Sequence, residues 1–343
     1  MTYLIFAPNW LGDAVMALPA IADVVAHAGP SGRVAVAVRP SVAGLFACVA
    51  GIGEIITLGG VTSRGLLAGI EADAKAARAA NADVALLLPN SVRAAVVARR
   101  AGITDTWGYR HQGRGILLSR AIAKPRGSVH QADYYRHLVR ALGVTNGGRE
   151  PRLRIPAEAA AEAAQRLSAH GWTPGTRLIG LAPGAAFGGA KRWPPERFAE
   201  VSASLAASHG AATVIVGSAA DEPAAWAIAQ ELGKIAGRGS APGPINLAGR
   251  TTLPQLAAVL AQCAAFVSND SGAMHVAAAA GVPVIALFGP TNERETAPLG
   301  ARAAVLSAQV WCRPCMLREC PLDHRCMTGI SAADVVERVG ELV

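Results

Sequence analysis

The strongest chemical signal in the sequence is the string SNDSGAMH at Ser268–His275. It follows an apolar run typical of a strand and precedes a helix-like segment. Small residues at Ser271 and Gly272 let backbone N–H groups approach an anion, and the positive end of a helix dipole favours negative charge there. Asp270 is suited to accept a hydrogen bond from a ribose or sugar hydroxyl. Alternatively, it caps the helix. We predict an anion-binding loop that also contacts sugar hydroxyls.

A second candidate segment is glycine-rich and ends in two cations. It reads APGAAFGGAKRWP from Ala182 to Pro194 and includes Gly184, Lys191 and Arg192. A compact ammonium and a forked guanidinium are suited to neutralise a pyrophosphate leaving group. The alternative is an ordinary loop whose cations are solvated. The density of glycine favours the phosphate-binding interpretation.

The third candidate segment is NWLGDAVMALP at Asn9–Pro19, where a strand turns into a helix. It presents Trp10, Gly12 and Asp13 at that turn. A carboxylate at such a position suits a general base that removes a proton from an attacking hydroxyl. Aspartate in the first turn of a helix is also a common cap, so both roles stay open for Asp13 at this point.

Two patterns in the sequence bear on metal binding. The sequence contains no Asp-x-Asp pair, so we expect cations and oriented dipoles, and not Mg²⁺, to stabilise a diphosphate leaving group. Four cysteines cluster near the end of the chain, with His324 among them: Cys312, Cys315, Cys320 and Cys326. They are chemically sufficient for a structural zinc site. Their spacing does not contain a second CxxC, and we favour a reduced, structured loop.

Positive charge is concentrated in one part of the chain. Between Arg93 and Arg154 twelve arginines and one lysine face three acidic residues, which exceeds the net charge of +8 for the whole sequence. Such a field favours an anionic partner, although a merely solvated basic face is the alternative. Arg114 and Arg120 are the candidates for contact with that partner.

Alternating strand-like and helix-like segments must position these motifs. The pattern predicts βαβ units and parallel sheets in two successive halves, an α/β class with two Rossmann-like doubly wound domains facing a cleft. We expect domains at 1–150 and 157–330, joined by the stretch NGGREPRLRIP, and a helix at 331–343 that packs back on the first domain. The predicted strands are Tyr3–Pro8, Arg33–Val38, Glu54–Leu58, Asp83–Pro89, Thr104–Tyr109, Arg177–Leu181, Thr213–Gly217, Ile245–Leu247, Ala265–Ser268 and Val284–Phe288.

The sequence argues against several classes of protein. No GxGxxG follows the first strand and no GxxxxGK[ST] occurs, which argues against a dinucleotide oxidoreductase and a P-loop enzyme. The first cationic residue is Arg33, so no signal peptide is expected, and no apolar stretch reaches the roughly 20 residues of a membrane span. We expect a cytoplasmic protein.

Five strings in the same order resemble the ADP-heptose:lipopolysaccharide heptosyltransferases, most closely the type II members. They are NWLGDAVMALP, GYRHQGRGILLS, APGAAFGGAKRWP, SNDSGAMHVAAAAGVPVIALFGPT and CRPCMLRECPLDHRCM. The resemblance implies a GT-B fold and an inverting, metal-independent transfer of heptose from ADP-heptose to a heptose of the lipopolysaccharide inner core. It covers nearly the whole chain.

The resemblance also assigns roles by position. Asp13 matches the catalytic base and Lys191 the lysine on the donor phosphates. Asp270, Ser271, Gly272 and His275 match the donor-binding loop, and Glu222 falls loosely where ribose hydroxyls are held. The implied partners are a nucleotide-sugar donor and an anionic core acceptor. We add the surface of the inner membrane, contacted peripherally, and place Asn9, Trp10, Gly12, Arg114 and Arg120 on the acceptor side.

Other functions stay open. A type I or later core heptosyltransferase is the nearest alternative, and a GT-B-like nucleotide-sugar epimerase is a more distant one. A nucleic-acid-binding protein would use the basic stretch and the cysteines, but it would not need the SNDSG string or the glycine-rich loop. We therefore expect no nucleic-acid partner.

Overall fold

The computed structural model describes residues 1–60, 65–144, 147–236 and 243–342, and the chain divides into two compact units, Met1–Arg154 and Ile155–Val343. The division falls inside the stretch rich in glycine, arginine and proline that was expected to link two domains. Asn146, the first residue of that stretch, lies outside the described residues, as does Thr145 before it. Each unit contains its own sheet and its own core.

The first unit is a parallel sheet with helices between its strands. Its described strands are β1 (Thr2–Phe6), β2 (Arg33–Val38), β3 (Glu54–Thr57), β4 (Val84–Leu87), β5 (Asp105–Tyr109) and β6 (Arg120–Ile122). Its helices are α1 (Leu11–Met16), α2 (Leu18–Ala28), α3 (Pro40–Ala43), α4 (Leu66–Arg78), α5 (Val92–Arg100) and α6 (Gln131–Ala141), with 3₁₀ turns at Gly44–Cys48 and Arg114–Leu117. The strand order is β3-β2-β1-β4-β5-β6.

The second unit repeats this design. Its described strands are β7 (Leu178–Ala182), β8 (Ala212–Ile215), β9 (Ile245–Asn246), β10 (Ala265–Asn269), β11 (Val284–Leu287) and β12 (Ala303–Leu306). Its helices are α7 (Ala157–Ala169), α8 (Pro195–His209), α9 (Glu222–Ala236), α10 (Leu253–Ala261), α11 (Gly272–Ala279), α12 (Glu293–Thr296), α13 (Arg325–Thr328) and α14 (Ala332–Leu342), with 3₁₀ turns at Gly189–Lys191 and Ala219–Asp221. The order is β12-β11-β10-β7-β8-β9, again parallel.

The composition of the strands explains this architecture. The central strands are continuous apolar runs, such as VALL in β4 and VIAL in β11, and all of their side chains are buried. Strands that are covered by helices on both faces have this pattern, whereas one-sided sheets alternate apolar and polar residues. Alanine supplies much of both cores, which lets helices approach the sheets closely. The prediction of two doubly wound α/β domains is confirmed.

Both sheets have the same topological switch point. The chain starts in the middle of each sheet, builds outward on one side and then returns to build on the other. The strands that flank the switch are β1 and β4 in the first unit, and β7 and β10 in the second. In open α/β sheets, ligands bind outside the carboxyl ends of the strands at such a point. The three candidate segments all follow one of these strands.

The last helix packs within the second unit. Val335 and Val339 of α14 are fully buried in the core of that unit, where α14 packs against α8. These two valines belong to the apolar stripe of the helix. Val343 lies outside the described residues. The expected packing of the helix at 331–343 on the first domain stays a prediction.

Candidate functional site

Asn269 joins the two candidate loops of the second unit. It is the last residue of β10 and is fully buried. Its Nδ2 donates to the carbonyl oxygen of Pro183, after β7, at 2.7 Å, and its Oδ1 accepts from the backbone N–H of Trp193 at 3.1 Å. One amide side chain therefore fixes both ends of the glycine-rich loop to the SNDSG loop at the switch point of this sheet.

Lys191 and Asp270 form a buried ion pair at the same place. The Lys191 Nζ lies 2.5 Å from Asp270 Oδ2, and both residues are less than a tenth exposed. Thr291, which is also buried, donates its hydroxyl to the same Oδ2 at 2.6 Å. The ring of Phe187 lies 4.7 Å from the Lys191 Nζ. An ammonium has three N–H donors, so the pair leaves Lys191 donor capacity for a further anion.

The SNDSG loop begins α11 as the sequence indicated. Ser271 is the N-cap residue and Gly272 is the first helical residue. The Ser271 hydroxyl lies 3.1 Å from that of Ser268, which in turn donates to the carbonyl oxygen of Asn269 at 2.7 Å. Backbone N–H groups of the first helical turn are available to bind an anion in this geometry. His275 is buried on the same helix.

Gly184, in the glycine-rich loop, packs closely against the carboxylate of Asp221, a contact that the sequence did not reveal. A Cβ on residue 184 would lie 2.3 Å from the carboxyl carbon of Asp221. Asp221 Oδ2 accepts from the backbone N–H and the hydroxyl of Ser218, each at 2.8 Å. Gly184 is therefore explained by the close approach of a carboxylate. Asp221 was not among the predicted site residues.

Two other predicted donor-side residues are on the surface. Glu222 begins α9, and its carboxylate lies 3.6 Å from Arg250, with both side chains more than half exposed. Arg192 follows the 3₁₀ turn in an extended conformation and is exposed. Neither residue belongs to the buried cluster of Lys191, Asp270 and Thr291. Their roles as donor contacts stay predictions.

Asp13 lies at the switch point of the first unit. It is half-buried in the first turn of α1, where Trp10, and not Asp13, occupies the N-cap position. The hydroxyl of the buried Tyr135, on α6, donates to Asp13 Oδ1 at 3.5 Å. Burial, followed by the charge of Asp13, raises the pKa of Tyr135 well above its usual value. Tyr135 therefore remains a protonated donor to this carboxylate over the physiological range.

The remaining residues of the Asn9 segment are more open. Trp10 is 60% exposed, and Gly12 is half-buried. Asn9 is exposed at the rim of a cavity beyond the carboxyl ends of β1 and β4. This cavity is also lined by Phe6, Arg39, Pro89 and Ser91. The structure thus provides a small concavity, lined by both apolar and polar residues, where the topology predicts a ligand site.

Arg114 requires a correction. We predicted that it faces an anionic acceptor, but it is only 1% exposed. Its Nε donates to the carbonyl oxygen of Tyr109 at 2.8 Å, and its Nη1 donates to those of Pro89 and Ser91. Burial lowers the pKa of this guanidinium. Arg114 joins the loops that follow β4 and β5, and this structural role explains its place in the sequence.

Arg120, by contrast, is exposed. It lies on the edge strand β6, with its guanidinium 4.7 Å from the centre of the Trp107 ring and its Nε 3.9 Å from Asp105 Oδ1. Stacking on an indole leaves the donors of an arginine accessible at the edge of the plane. Arg120 therefore keeps the geometry required for an anion contact.

The cysteine-rich segment was considered above as a zinc site. All six cysteines are free thiols, with Cys315 exposed and Cys326 buried. Among the described residues, no group of three or more histidine, cysteine, aspartate or glutamate side chains is arranged to hold a metal ion.

No helix in the described ranges is long and apolar enough to cross a membrane.

Comparison with known proteins gives a consistent result. The model of glycosyltransferase family 9 (heptosyltransferase) matches residues 71–325. Lipooligosaccharide heptosyltransferase 2 of Haemophilus influenzae is 34% identical over 230 residues, 65% of each chain. Lipopolysaccharide heptosyltransferase 2 of Escherichia coli K12 is 34% identical over 232 residues, 65% of this chain and 64% of its own. The aligned part thus spans just under two thirds of these relatives.

Two solved structures extend the comparison to the whole fold. The E. coli ADP-heptose lps heptosyltransferase II superposes with a TM-score of 0.83 at 26% identity, over 100% of this chain and 98% of the other. A glycosyl transferase family 9 protein from Veillonella parvula also gives a TM-score of 0.83, at 24% identity, over 99% and 96% of the two chains. The latter comparison concerns the fold alone.

Proposed function

Because the chain belongs to glycosyltransferase family 9, the heptosyltransferases, we propose that it is a heptosyltransferase II. It transfers L-glycero-D-manno-heptose from ADP-heptose to a heptose of the lipopolysaccharide inner core. The relatives named heptosyltransferase 2 support this specificity over that of type I. The reaction takes place at the cytoplasmic face of the inner membrane, with which the enzyme associates peripherally.

The observation that carries the proposal is the buried cluster of Lys191, Asp270 and Thr291 beside the first turn of α11. This cluster places a fixed ammonium and a helix N-terminus at one switch point. Both groups stabilise negative charge that grows on a departing ADP, and they need no reorganisation as the bond breaks. A nucleotide diphosphate is the leaving group that such a site suits best.

The chemistry is a single displacement with inversion. The acceptor hydroxyl forms a bond to C1 of the heptose while the bond from C1 to the ADP oxygen breaks. Asp13 accepts the proton of that hydroxyl, and Tyr135 holds the carboxylate in place. Lys191 and the N-terminus of α11 take up the charge on ADP. The residues of the chain thus supply the leaving-group stabilisation that a metal supplies elsewhere, and we propose that no metal is required.

A transfer assay tests the function. ADP-heptose is supplied with a core acceptor that already carries one heptose, with one that carries none, and with no acceptor. We expect heptose transfer to the first acceptor only, undiminished in EDTA. Transfer only to the heptose-free acceptor would indicate a type I enzyme, and isomerisation of the donor without acceptor would indicate an epimerase. Loss of activity in EDTA with recovery in Mg²⁺ would contradict the metal-free mechanism.

Asp13→Asn tests the proposed base. The amide keeps the size of the side chain and can still accept from Tyr135, but it cannot take a proton. We expect the rate of transfer to fall by about two to four orders of magnitude, while ADP affinity and melting temperature stay close to those of the wild type. Turnover near the wild-type rate would remove Asp13 from the mechanism.

A further inference from the structure

The cysteine-rich part of the chain contains a segment that the proposed mechanism does not use. Residues 313–319, which we call the strap, lie between Cys312 and Cys320 and pass over both loops of the donor side. One is the glycine-rich loop that carries Lys191. The other is the turn at Gly289–Thr291, after β11, that carries Thr291.

The strap binds the glycine-rich loop through two hydrogen bonds. The backbone N–H of Ala190 donates to the carbonyl oxygen of Arg318 at 2.9 Å. The N–H of Gly189, the adjacent residue, donates to Glu319 Oε1 at 3.1 Å. In addition, the Arg318 guanidinium lies 5.4 Å from the centre of the Phe187 ring, which also contacts Lys191. The 3₁₀ turn that ends in Lys191 is therefore held from its outer side.

The strap also binds the turn that carries Thr291. The backbone N–H of Met316 donates to the carbonyl oxygen of Pro290 at 2.8 Å. Arg313 donates through Nε to the carbonyl oxygen of Gly289 at 2.9 Å, and through Nη2 to Glu293 Oε2 at 2.8 Å. Four hydrogen bonds thus connect one segment to the two loops whose side chains meet at Asp270, and a fifth connects it to Glu293 of α12.

The glycines of the loop are explained by this contact. A Cβ on residue 188 would lie 2.3 Å from the carbonyl oxygen of Arg318, and one on residue 189 would lie 2.6 Å from Glu319 Oε2. Real Cβ atoms do not approach so closely. The backbone of the strap thus leaves no room for a side chain at Gly188, and a side chain at Gly189 would displace the Glu319 carboxylate.

We propose that the strap is a positioning element for the donor phosphates and that Glu319 is its positioning residue. The proposal rests on the donor role of Lys191 proposed above. Glu319 does not touch the ammonium. Its carboxylate fixes the N–H of Gly189, and thereby the turn that sets where Lys191 emerges. Small displacements of a charge-stabilising group are costly for transition-state stabilisation, so anchoring of this kind affects function.

The test compares Glu319→Ala with Glu319→Gln in the full-length protein. The amide oxygen of glutamine still accepts from the Gly189 N–H, whereas alanine removes the acceptor. Glu337→Ala, which changes an exposed glutamate on α14, serves as the matched control. Hydrogen–deuterium exchange of residues 187–191 reports the loop, and calorimetric titration with ADP reports the site.

We expect Glu319→Ala to raise amide exchange in residues 187–191 about tenfold and to weaken ADP binding by a similar factor. Glu319→Gln and Glu337→Ala should match the wild type in both measurements, and all three variants should keep its melting temperature. Wild-type exchange in Glu319→Ala, or faster exchange with unchanged ADP affinity, would overturn the proposal, as would equal losses in Ala and Gln. Failure of the wild type to bind ADP would instead contradict the proposed function, while the exchange measurement would still decide whether the strap holds the loop.

Discussion

At the scale of single residues, the donor side is organised around one carboxylate oxygen. Asp270 Oδ2 accepts from the Lys191 ammonium and from the Thr291 hydroxyl, and all three side chains are buried. Hydrogen bonds to a charged group stabilise more than those between neutral groups, and burial increases the effect. Thr291 therefore orients Asp270, and through it Lys191, without contacting the donor phosphates in the mechanism proposed above.

Thr291→Val removes the hydroxyl at nearly constant volume, and Thr291→Ser retains it. We expect Thr291→Val to lower kcat/KM for the donor by about tenfold, since a hydrogen bond to a carboxylate is worth roughly 1.5–3 kcal/mol. Thr291→Ser should restore most of the loss. Steady-state kinetics with the donor concentration varied measures both. Equal activity of the valine variant and the wild type would show that Thr291 has no positioning role.

The cysteines differ in how deeply they are buried, and burial shifts the pKa of the thiol. Complete burial raises the pKa of Cys263 to about 12, whereas Cys315 is exposed. Because the folded pKa lies above that of the unfolded thiol, Cys263 contributes stability that is fully present below pH 9 and is lost as the pH rises toward 12. We expect the melting temperature of Cys263→Ala to fall less steeply between pH 9 and pH 12 than that of the wild type. Parallel curves of melting temperature against pH would contradict this expectation.

Sequence reasoning identified some of these residues and missed others for physical reasons. Lys191 and Asp270 stand in segments with a recognisable composition at the end of a strand, and the fold brings them together. Thr291 belongs to an ordinary GPT turn, whose role depends on β11 lying beside β10. Arg114 was misassigned because a count of charges does not distinguish an arginine that faces solvent from one that binds backbone carbonyls.

At the scale of elements, Arg114 supplies hydrogen-bond donors to backbone carbonyl oxygens where β4 and β5 end. Removing it leaves three carbonyl oxygens, one buried and two partly buried, without their present donor. We expect Arg114→Ala to lower the free energy of unfolding by about 2–4 kcal/mol, because unsatisfied buried polar groups cost about 1–3 kcal/mol each and the structure relaxes in part. Urea denaturation measures the effect.

Arg120→Ala is the control for this prediction, since its side chain is about half exposed. We expect that variant to lose less than about 1 kcal/mol. Similar stability of the two variants would show that the carbonyl oxygens around Arg114 find water or other partners.

The central strands of each sheet were predictable from the sequence, whereas the edge strands were predictable only in part. Strands such as β2 and β10 are apolar runs between turn signals, and their predicted bounds agree with the structure to within a residue. Of the edge strands, β3 and β9 were predicted, whereas β6 and β12 were missed. The strand β6 has one neighbour and one open side, and its three residues, RAI, lack the continuous apolar run of a central strand.

At the scale of the whole molecule, charge is distributed unevenly between the units. The basic stretch between Arg93 and Arg154 belongs entirely to the first unit. Two arginines of this stretch were predicted to contact the acceptor. Arg114 is buried and Arg120 is exposed, so of these two Arg120 is the one that can contact a partner in solution. The proposed acceptor carries phosphates and acidic sugars, which a positive field attracts over about 10 Å at 0.1 M salt.

Arg120→Glu should therefore weaken acceptor use and leave ADP binding unchanged. We expect the acceptor KM to rise about threefold to tenfold at low ionic strength and the difference to shrink in 0.5 M salt, because screening shortens the range of the field. Arg338→Glu, at an exposed arginine on α14, is the matched control. An effect of the same size in both variants, or one that does not depend on salt, would show that net charge and not Arg120 is responsible.

Trp193 gives the donor side an intrinsic optical reporter. Its backbone N–H is bound by Asn269, its indole Nε1–H donates to the carbonyl oxygen of Ile330 at 3.1 Å, and its ring meets Phe198 edge to face. Trp10, Trp226 and Trp311 are all more than half exposed, so an aqueous quencher reduces their emission first. The blue-shifted fluorescence that survives quenching then comes from the buried Trp107, Trp172 and Trp193. Of these three, Trp193 adjoins Arg192 and Lys191 in the chain. Its intensity and lifetime can be followed on the millisecond scale, so events at the phosphate-binding loop are open to stopped-flow measurement without an added label.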